Sequence, residues 1–254
     1  MKNILKSKKF ATAMAMVLMV AMVVGMGTIT YSRYVTSKGM DTPEQATVAE
    51  WGYVLTINQA DMFGTAYEGN AVNETFEETN DDKIDVKSKA TADLVAPGTS
   101  GSMSITLSGN AEVLAALTFD VTDNSHDVLL TYGDGQTYAP IKWTLTKKVG
   151  DTTTTLATAN TTFALMKAAL EAESAKVEAG TTIPTTVYTI SWSWALGSAD
   201  ANDQNNKLDT ALGMLQAGKT ADEIEEVTGI VVNAGASETT LYVDLSASVA
   251  QIQD

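Results

Sequence analysis

The sequence predicts a mainly β protein, built as an antiparallel sandwich or jelly roll, and three observations carry this prediction. Apolar and polar residues alternate in segment after segment downstream of residue 47, as they do in half-buried strands. Turn sequences rich in Gly separate these segments, for example at 96–101 and 133–135. Helical periodicity is confined to two stretches, near 162–179 and 207–227. Many short strands with polar connections are typical of sandwiches and jelly rolls.

Each predicted strand places its apolar residues on one face, because successive side chains of a strand point to opposite sides. The apolar faces are Ala49, Trp51, Tyr53, Leu55 and Ile57; Met103, Ile105 and Leu107; Val113, Ala115, Leu117, Phe119 and Val121; Ile141, Trp143 and Leu145; Tyr188, Ile190, Trp192, Trp194 and Leu196; and Leu241, Val243, Leu245, Ala247 and Val249. A further short strand is predicted over 127–132. The strip formed by Trp192 and Trp194 is interpreted as core, with an exposed strip that binds sugars or a partner as the alternative.

The two helical stretches have recognisable boundaries. Residues 162–178 carry apolar residues at helical spacing, with Thr161 or Thr162 as the predicted N-cap and Gly180 as the predicted stop. Residues 207–217 are followed by a capping box, in which Thr220 and Glu223 open a short helix over 222–227. Both stretches lie between predicted strands, so we expect them to be insertions into the sandwich rather than a separate domain.

The N-terminus reads as an export signal over residues 1–30. Lysines precede an uncharged stretch over 10–32 that is apolar at first and ends in small residues, which is the order of a secretory signal. We expect cleavage at Thr30, Tyr31 or Ser32. An uncleaved membrane anchor or a prepilin is the alternative, because the stretch is long enough to span a bilayer. With the signal removed, residues 31–47 form an N-terminal extended segment and 48–254 the β-sandwich domain.

Composition excludes several classes of protein. The chain has 16 Lys and Arg against 31 Asp and Glu, a formal net charge of −15. Such a protein repels nucleic acid and anionic lipid, so we expect no nucleic-acid partner. We expect membrane contact only through an uncleaved N-terminal segment. The absence of Cys excludes disulfides, thiolate metal sites and cysteine nucleophiles.

The sequence contains no motif that predicts catalysis. The single histidine is His126, in a polar connection between strands, and a Ser-His-Asp triad would have to use it. Neither a G-x-S-x-G nor an H-E-x-x-H motif is present. Carboxylates are numerous, but no spacing singles out a pair for glycosidase chemistry. We therefore predict a surface histidine, no catalytic residues and no enzyme activity.

One segment resembles a calcium loop in composition. Asp200, Asn202 and Asp203 place oxygen ligands close together, but the loop lacks the Gly and the bidentate Glu of an EF-hand. These three residues are the candidate metal ligands, with Ca²⁺ as the cofactor to test. The preferred interpretation is a solvated loop that leads into the next helix, with Asn205 or Asn206 as its cap.

Several segments resemble a known family of exported proteins. Residues 25–32 (GMGTITYS) are similar to the signal-peptide end of the camelysin/TasA-like family of Gram-positive bacteria. Further pieces resemble clostridial SipW-dependent proteins, namely 48–56 (VAEWGYVLT), 61–67 (DMFGTAY), 95–101 (VAPGTSG) and 188–194 (YTISWSW). The resemblance covers most of the chain in scattered pieces, and none of them is a catalytic motif.

This resemblance implies a jelly-roll-like antiparallel β-sandwich with two short helical insertions, preceded by an N-terminal apolar signal helix. It also implies export to the cell surface or biofilm matrix after cleavage by a SipW-type signal peptidase. TasA-like members assemble into fibres by donor-strand exchange, so Tyr31, Tyr34 and Val35 form the expected assembly segment. Two alternatives remain: a monomeric surface domain for adhesion or ligand binding, and a camelysin-like metallopeptidase.

The first testable prediction concerns the N-terminus. We expect the secreted protein to lack the apolar run, because the order of basic, apolar and small residues directs cleavage near Thr30 to Ser32. Intact-mass measurement of the secreted protein checks this. A mass that still includes residues 11–24 would instead favour the anchor or the prepilin.

Overall fold

The computed structural model describes residues 48–72, 83–89, 92–196 and 203–253. This part of the chain is mainly β, with antiparallel strands in an arrangement consistent with a β-sandwich. In chain order the strands are β1 (Val54–Asn58), β2 (Ala66–Val72), β3 (Lys83–Lys87), β4 (Ser100–Gly109), β5 (Ala115–Val121), β6 (Leu130–Tyr132), β7 (Gln136–Tyr138), β8 (Ile141–Val149), β9 (Thr152–Thr161), β10 (Ala175–Val177), β11 (Ile183–Trp194) and β12 (Leu245–Gln251). The helices are α1 (Phe163–Glu171), α2 (Gln204–Gln216) and α3 (Ala221–Thr228).

Two sheets organise the described residues. The larger has five strands in the order β1-β4-β11-β8-β9, and the smaller has three in the order β10-β5-β12. Strands β2 and β3 form one hairpin, and β6 and β7 form another. The strand predictions over 102–108, 113–121 and 187–196 are confirmed by β4, β5 and β11, with ends that shift by a few residues.

The core lies on the inner face of the five-stranded sheet. Trp192 stands opposite Trp143 in the register of β11 and β8, and Ile190 stands opposite Leu145. All four side chains are fully buried, as is Ile105 on β4. From the smaller sheet, Phe119 packs edge-on against Tyr188 with ring centroids 4.9 Å apart. Trp194 is also buried, so the interpretation of the tryptophan strip as core is confirmed and the exposed strip is wrong.

The predicted helix over 162–178 is too long. Thr162 is the N-cap, as predicted, and accepts a hydrogen bond from the Leu165 amide, but α1 ends at Glu171. The following residues pair with β5 as strand β10, so Gly180 does not stop the helix. The amide of Phe119 donates to Ser174 Oγ at 2.9 Å, which ties the chain after α1 to the edge of β5. Strand pairing therefore overrides the local helical preference.

The second helical stretch begins earlier than predicted. Asp203 caps α2 and accepts hydrogen bonds from the amides of Asn205 and Asn206, so the expectation that Asn205 or Asn206 is the cap is wrong. The predicted capping box is confirmed, because Thr220 and Glu223 bond to each other's backbone at the start of α3. Gly229 ends α3 with a φ of 72°, a left-handed conformation that Gly adopts without steric cost.

The second testable prediction compares neighbouring residues of α1. Met166 is 0% exposed and Leu165 is 61% exposed. Met166→Ala leaves a cavity in the core and should lower the free energy of unfolding by about 2–5 kcal/mol. Leu165→Ala should change it by less than about 0.5 kcal/mol. Denaturant titration of both variants measures this, and equal effects would contradict the placement of α1.

Candidate functional site

The most distinctive surface feature is a cleft at the ends of two edge strands, one from each sheet. Strand β1 is the edge of the five-stranded sheet and β12 is an edge of the three-stranded sheet. The two strands lie next to each other. Where β1 ends and β12 begins is a cleft of about 260 Å³, which we call the β1–β12 cleft. Its lining residues are Gln59, Met62, Phe63, Asp93, Met103, Val243 and Leu245.

An apolar residue beside this cleft lacks a full cover. Ile57 pairs with Ile105 in the register of β1 and β4, so both side chains lie on the inner face of the sheet. Ile105 is 0% exposed, whereas Ile57 is 40% exposed. The three-stranded sheet ends at β12, and within the described residues no further strand extends it over Ile57. This side of the sandwich is therefore apolar and incompletely covered.

Hydrogen bonds to β4 and β11 fix the loop that forms one rim of the cleft. Trp192 donates its indole N–H to the Met62 carbonyl oxygen at 2.7 Å, and the Ser102 amide donates to the Asp61 carbonyl at 2.8 Å. Gly101 makes this close approach possible, because a Cβ there would stand 2.2 Å from the Met62 oxygen. The loop that carries Met62 and Phe63 is thus fixed against β4 and β11, and it presents a preformed wall to the cleft.

The opposite side of the sandwich is closed by α1. Phe163, Met166 and Leu170 are the buried residues of this helix. Phe163 packs edge-on against Trp143 with ring centroids 5.1 Å apart. The helix contacts β5, β8 and β9, so it bridges the two sheets where β10 is too short to do so. The two sides of the sandwich therefore differ, one covered by a helix and the other left to the two edge strands.

Two half-buried carboxylates anchor the remaining core indoles. Asp127 Oδ2 accepts the N–H of Trp143 at 3.0 Å. Asp209 Oδ1, on α2, accepts the N–H of Trp194 at 3.0 Å and the hydroxyl of Tyr138 at 2.8 Å. Burial raises the pKa of each aspartate to about 6, although these hydrogen bonds favour the ionised form. The bonds fix the loop before β6 and the helix α2 to the sheet.

His126 lies at the surface, as predicted. Its Nδ1 is 2.8 Å from the Asn124 carbonyl oxygen and its Nε2 is 3.2 Å from Thr240 Oγ1. The ring stacks on Tyr242 with centroids 5.8 Å apart, and the Glu238 carboxylate lies 3.8 Å from Nε2. These contacts join the loop before β6 to the segment before β12.

Only one of the other predicted site residues lies within the described part of the chain. The cleavage residues Thr30, Tyr31 and Ser32 and the assembly residues Tyr31, Tyr34 and Val35 lie outside it, as do Asp200 and Asn202. Asp203 lies inside it, and its carboxylate caps α2. The described residues contain no group of three His, Asp or Glu side chains that could hold a metal ion. They also contain no helix long and apolar enough to cross a membrane.

Sequence reasoning missed the two aspartates that hold the indoles. Asp127 follows His126 in a polar connection and Asp209 sits in the middle of a helix, so both resemble ordinary surface acids. The one available signal was the set of tryptophans assigned to the core, since a buried indole N–H needs an acceptor. Which acid supplies the acceptor depends on the packing of the chain.

Comparisons with known proteins add no assignment. No family model, no curated protein and no solved structure matches this chain. The fold therefore defines this chain only as a mainly β, antiparallel protein. Its candidate site is the cleft at the ends of β1 and β12.

The third testable prediction concerns pH. Asp127 and Asp209 have a pKa of about 6 when folded, against 3.8 ordinarily. The stability that they contribute is thus fully present below pH 4 and is lost as the pH rises through about 6. From pH 8 to pH 5 the free energy of unfolding should rise by about 1–2 kcal/mol, after discounting for partial solvent contact.

Asparagine variants isolate this effect from the general charge of the protein. Asp127→Asn and Asp209→Asn keep an acceptor oxygen for the indole but do not titrate. The double variant should lose most of the rise, and denaturant titrations at both pH values measure it. A wild-type protein whose stability is unchanged or lower at pH 5 would contradict the assignment.

Proposed function

We propose that this chain is an exported structural protein of the cell surface or biofilm matrix, a fibre subunit that assembles by donor-strand exchange. We also propose that its sandwich is jelly-roll-like. The observation that carries the proposal is the β1–β12 cleft, where two strand edges and an incompletely covered apolar surface meet. An edge strand presents unpaired N–H and C=O groups to any extended segment that reaches it.

The geometry favours the free edge of β12 as the acceptor. Leu245, Ala247 and Val249 alternate toward the interior but are only half-buried. A strand added beside β12 would widen the three-stranded sheet to four and would cover Ile57 on β1. Main-chain hydrogen bonds would supply affinity, and the apolar residues of the cleft would select the side chains of the donor.

The proposed donor is the segment 31–47 of another copy. Tyr31, Tyr34 and Val35 offer aromatic and β-branched side chains, which suit a pleated, half-buried position. Cleavage by a SipW-type peptidase would free this segment, so export and assembly would be coupled. An exposed Trp192 and Trp194 would favour the alternative of a monomeric adhesion or ligand-binding domain, and both are buried.

The fourth testable prediction compares two forms of the exported protein. The form that begins at Tyr31 should assemble into fibres, because it retains the donor. The form that begins at Thr47 should stay monomeric. Sedimentation and negative-stain microscopy distinguish them. Equal assembly of both forms, or no assembly of either across salt and pH, would sink the donor-strand proposal.

A matched pair of variants tests the acceptor edge. Leu245→Asp puts a charge into the cleft and should block assembly of the form that begins at Tyr31. Ser246→Asp adds the same charge at the next residue, whose side chain is exposed, and should assemble as the wild type does. Circular dichroism and a melting curve for each variant separate loss of assembly from loss of fold.

A further inference from the structure

The five-stranded sheet has a charge pattern unlike that of the rest of the chain. The chain as a whole carries 31 acidic residues, yet β1, β4, β8, β9 and β11 contain none. The same strands contain three lysines, all on β8. Lys147 is paired with Glu173. Lys142 and Lys148 form no ion pair within the described part of the chain.

The outer face of this sheet is polar and built from small side chains. The inward series on β11 includes Ile190 and Trp192, so Thr189 and Ser191 face outward. One cross-strand row runs through all five strands in register, and its members are Asn58, Ser104, Thr189, Thr146 and Thr155. Lys142 and Lys148 belong to the same outward series of β8. We call this surface the hydroxyl face.

A shallow groove of about 570 Å³ runs over one end of the hydroxyl face. Lys142, Thr144, Ser191 and Ser193 line it, and the exposed Asp61 of the loop after β1 lies at its edge. The Lys142 ammonium donates to the Ala139 carbonyl oxygen at 2.9 Å, which holds this cation at the end of the sheet. The small hydroxyl side chains let a second element approach the backbone of the sheet closely.

Helix α3 is complementary to the hydroxyl face. Its eight residues include Asp222, Glu223, Glu225 and Glu226, and no Lys or Arg. All four acids are exposed, and so is Val227. Glu223 is used by the capping box and by Lys219. Ile224 is buried, so it fixes which side of the helix faces solvent.

We propose that the hydroxyl face binds helix α3 of a second copy of this chain. A protein with a net charge of −15 repels its own copies, and contact between copies is least opposed where the strands of one surface carry no acid. Lys142, at the groove, would face Glu225 and Glu226 of the next copy. Lys148 lies about 20 Å further along β8 and would add to the positive potential of the face. An aromatic-poor face of Ser, Thr and Lys would not make a tight interface, so the contact is weak and reversible.

The geometry makes this contact head-to-tail. Helix α2, on which α3 packs, bonds to the inward-facing Trp194, so α3 does not lie on the hydroxyl face of its own chain. Each copy therefore offers one face and one helix, and such a contact forms a ring if the rotation between copies closes and an open chain if it does not. The face is about 19 Å wide from β1 to β9, which corresponds to an interface at the small end of specific contacts. The contact goes beyond donor-strand exchange and does not require it.

Charge-swap variants test the contact directly. Lys142→Glu with Lys148→Glu puts acids on the face, and Glu225→Lys with Glu226→Lys puts bases on the helix. Each double variant alone should lose self-association about tenfold, because the side chains that would meet in the contact then carry the same sign. An equimolar mixture of the two variants should regain self-association. The acidic face of one variant meets the basic helix of the other, and the unchanged basic face of the second meets the unchanged acidic helix of the first. Sedimentation velocity of the secreted form, over protein and salt concentration, measures this.

The controls separate this contact from general charge and from the donor strand. Lys87→Glu with Lys89→Glu makes the same charge change away from the face and should associate as the wild type does. The helix variant has a smaller net negative charge, so a general charge effect would raise its association.

Donor-strand assembly depends on main-chain hydrogen bonds, and we expect Leu245→Asp to block it. The same variant should keep the salt-sensitive contact between the hydroxyl face and helix α3. A mixture that associates no better than its separate components would overturn the proposal. Loss of self-association in the Lys87→Glu, Lys89→Glu control, to the same extent as in the face variant, would also overturn it.

Discussion

The structure depends on the burial of one wide apolar face, the inner side of the five-stranded sheet. The inner side of the five-stranded sheet carries tryptophans and large aliphatic residues along its central strands, and their burial is the main source of stability. The facing sheet has only three strands and is too narrow to cover this face alone. Helix α1 covers one side, α2 reaches the end of β11, and the loop around Met62 covers part of the other side.

Polar groups inside this core decide how the covering elements are attached. Each buried indole needs an acceptor, and the three acceptors come from three different elements: Asp127 in a loop, Asp209 on α2, and the Met62 carbonyl beside the cleft. Burial of two carboxylates costs free energy unless they are neutral or well bonded. The same bonds that orient the covering elements therefore make the stability of the protein depend on pH.

The alternation of apolar residues predicted the core face of β4, β8 and β11 because that information is local to each strand. The end of α1 could not be predicted in this way, since residues 175–177 become a strand only because β5 offers them an edge. The cap of α2 was misplaced by two or three residues because several Asx side chains compete there, and Asp203 has the right geometry. The cleft, the indole acceptors and the hydroxyl face all depend on strand order and register, which no local pattern contains.

The central claim is that the free edge of β12 accepts a strand from another copy. Amide hydrogen exchange, read by mass spectrometry before and after assembly of the secreted protein, tests it most directly. The account predicts new protection in 245–251, where edge amides are unpaired in one copy, and little change in the central strands β8 and β11. Fibres that form with no added protection at β12 would contradict the account.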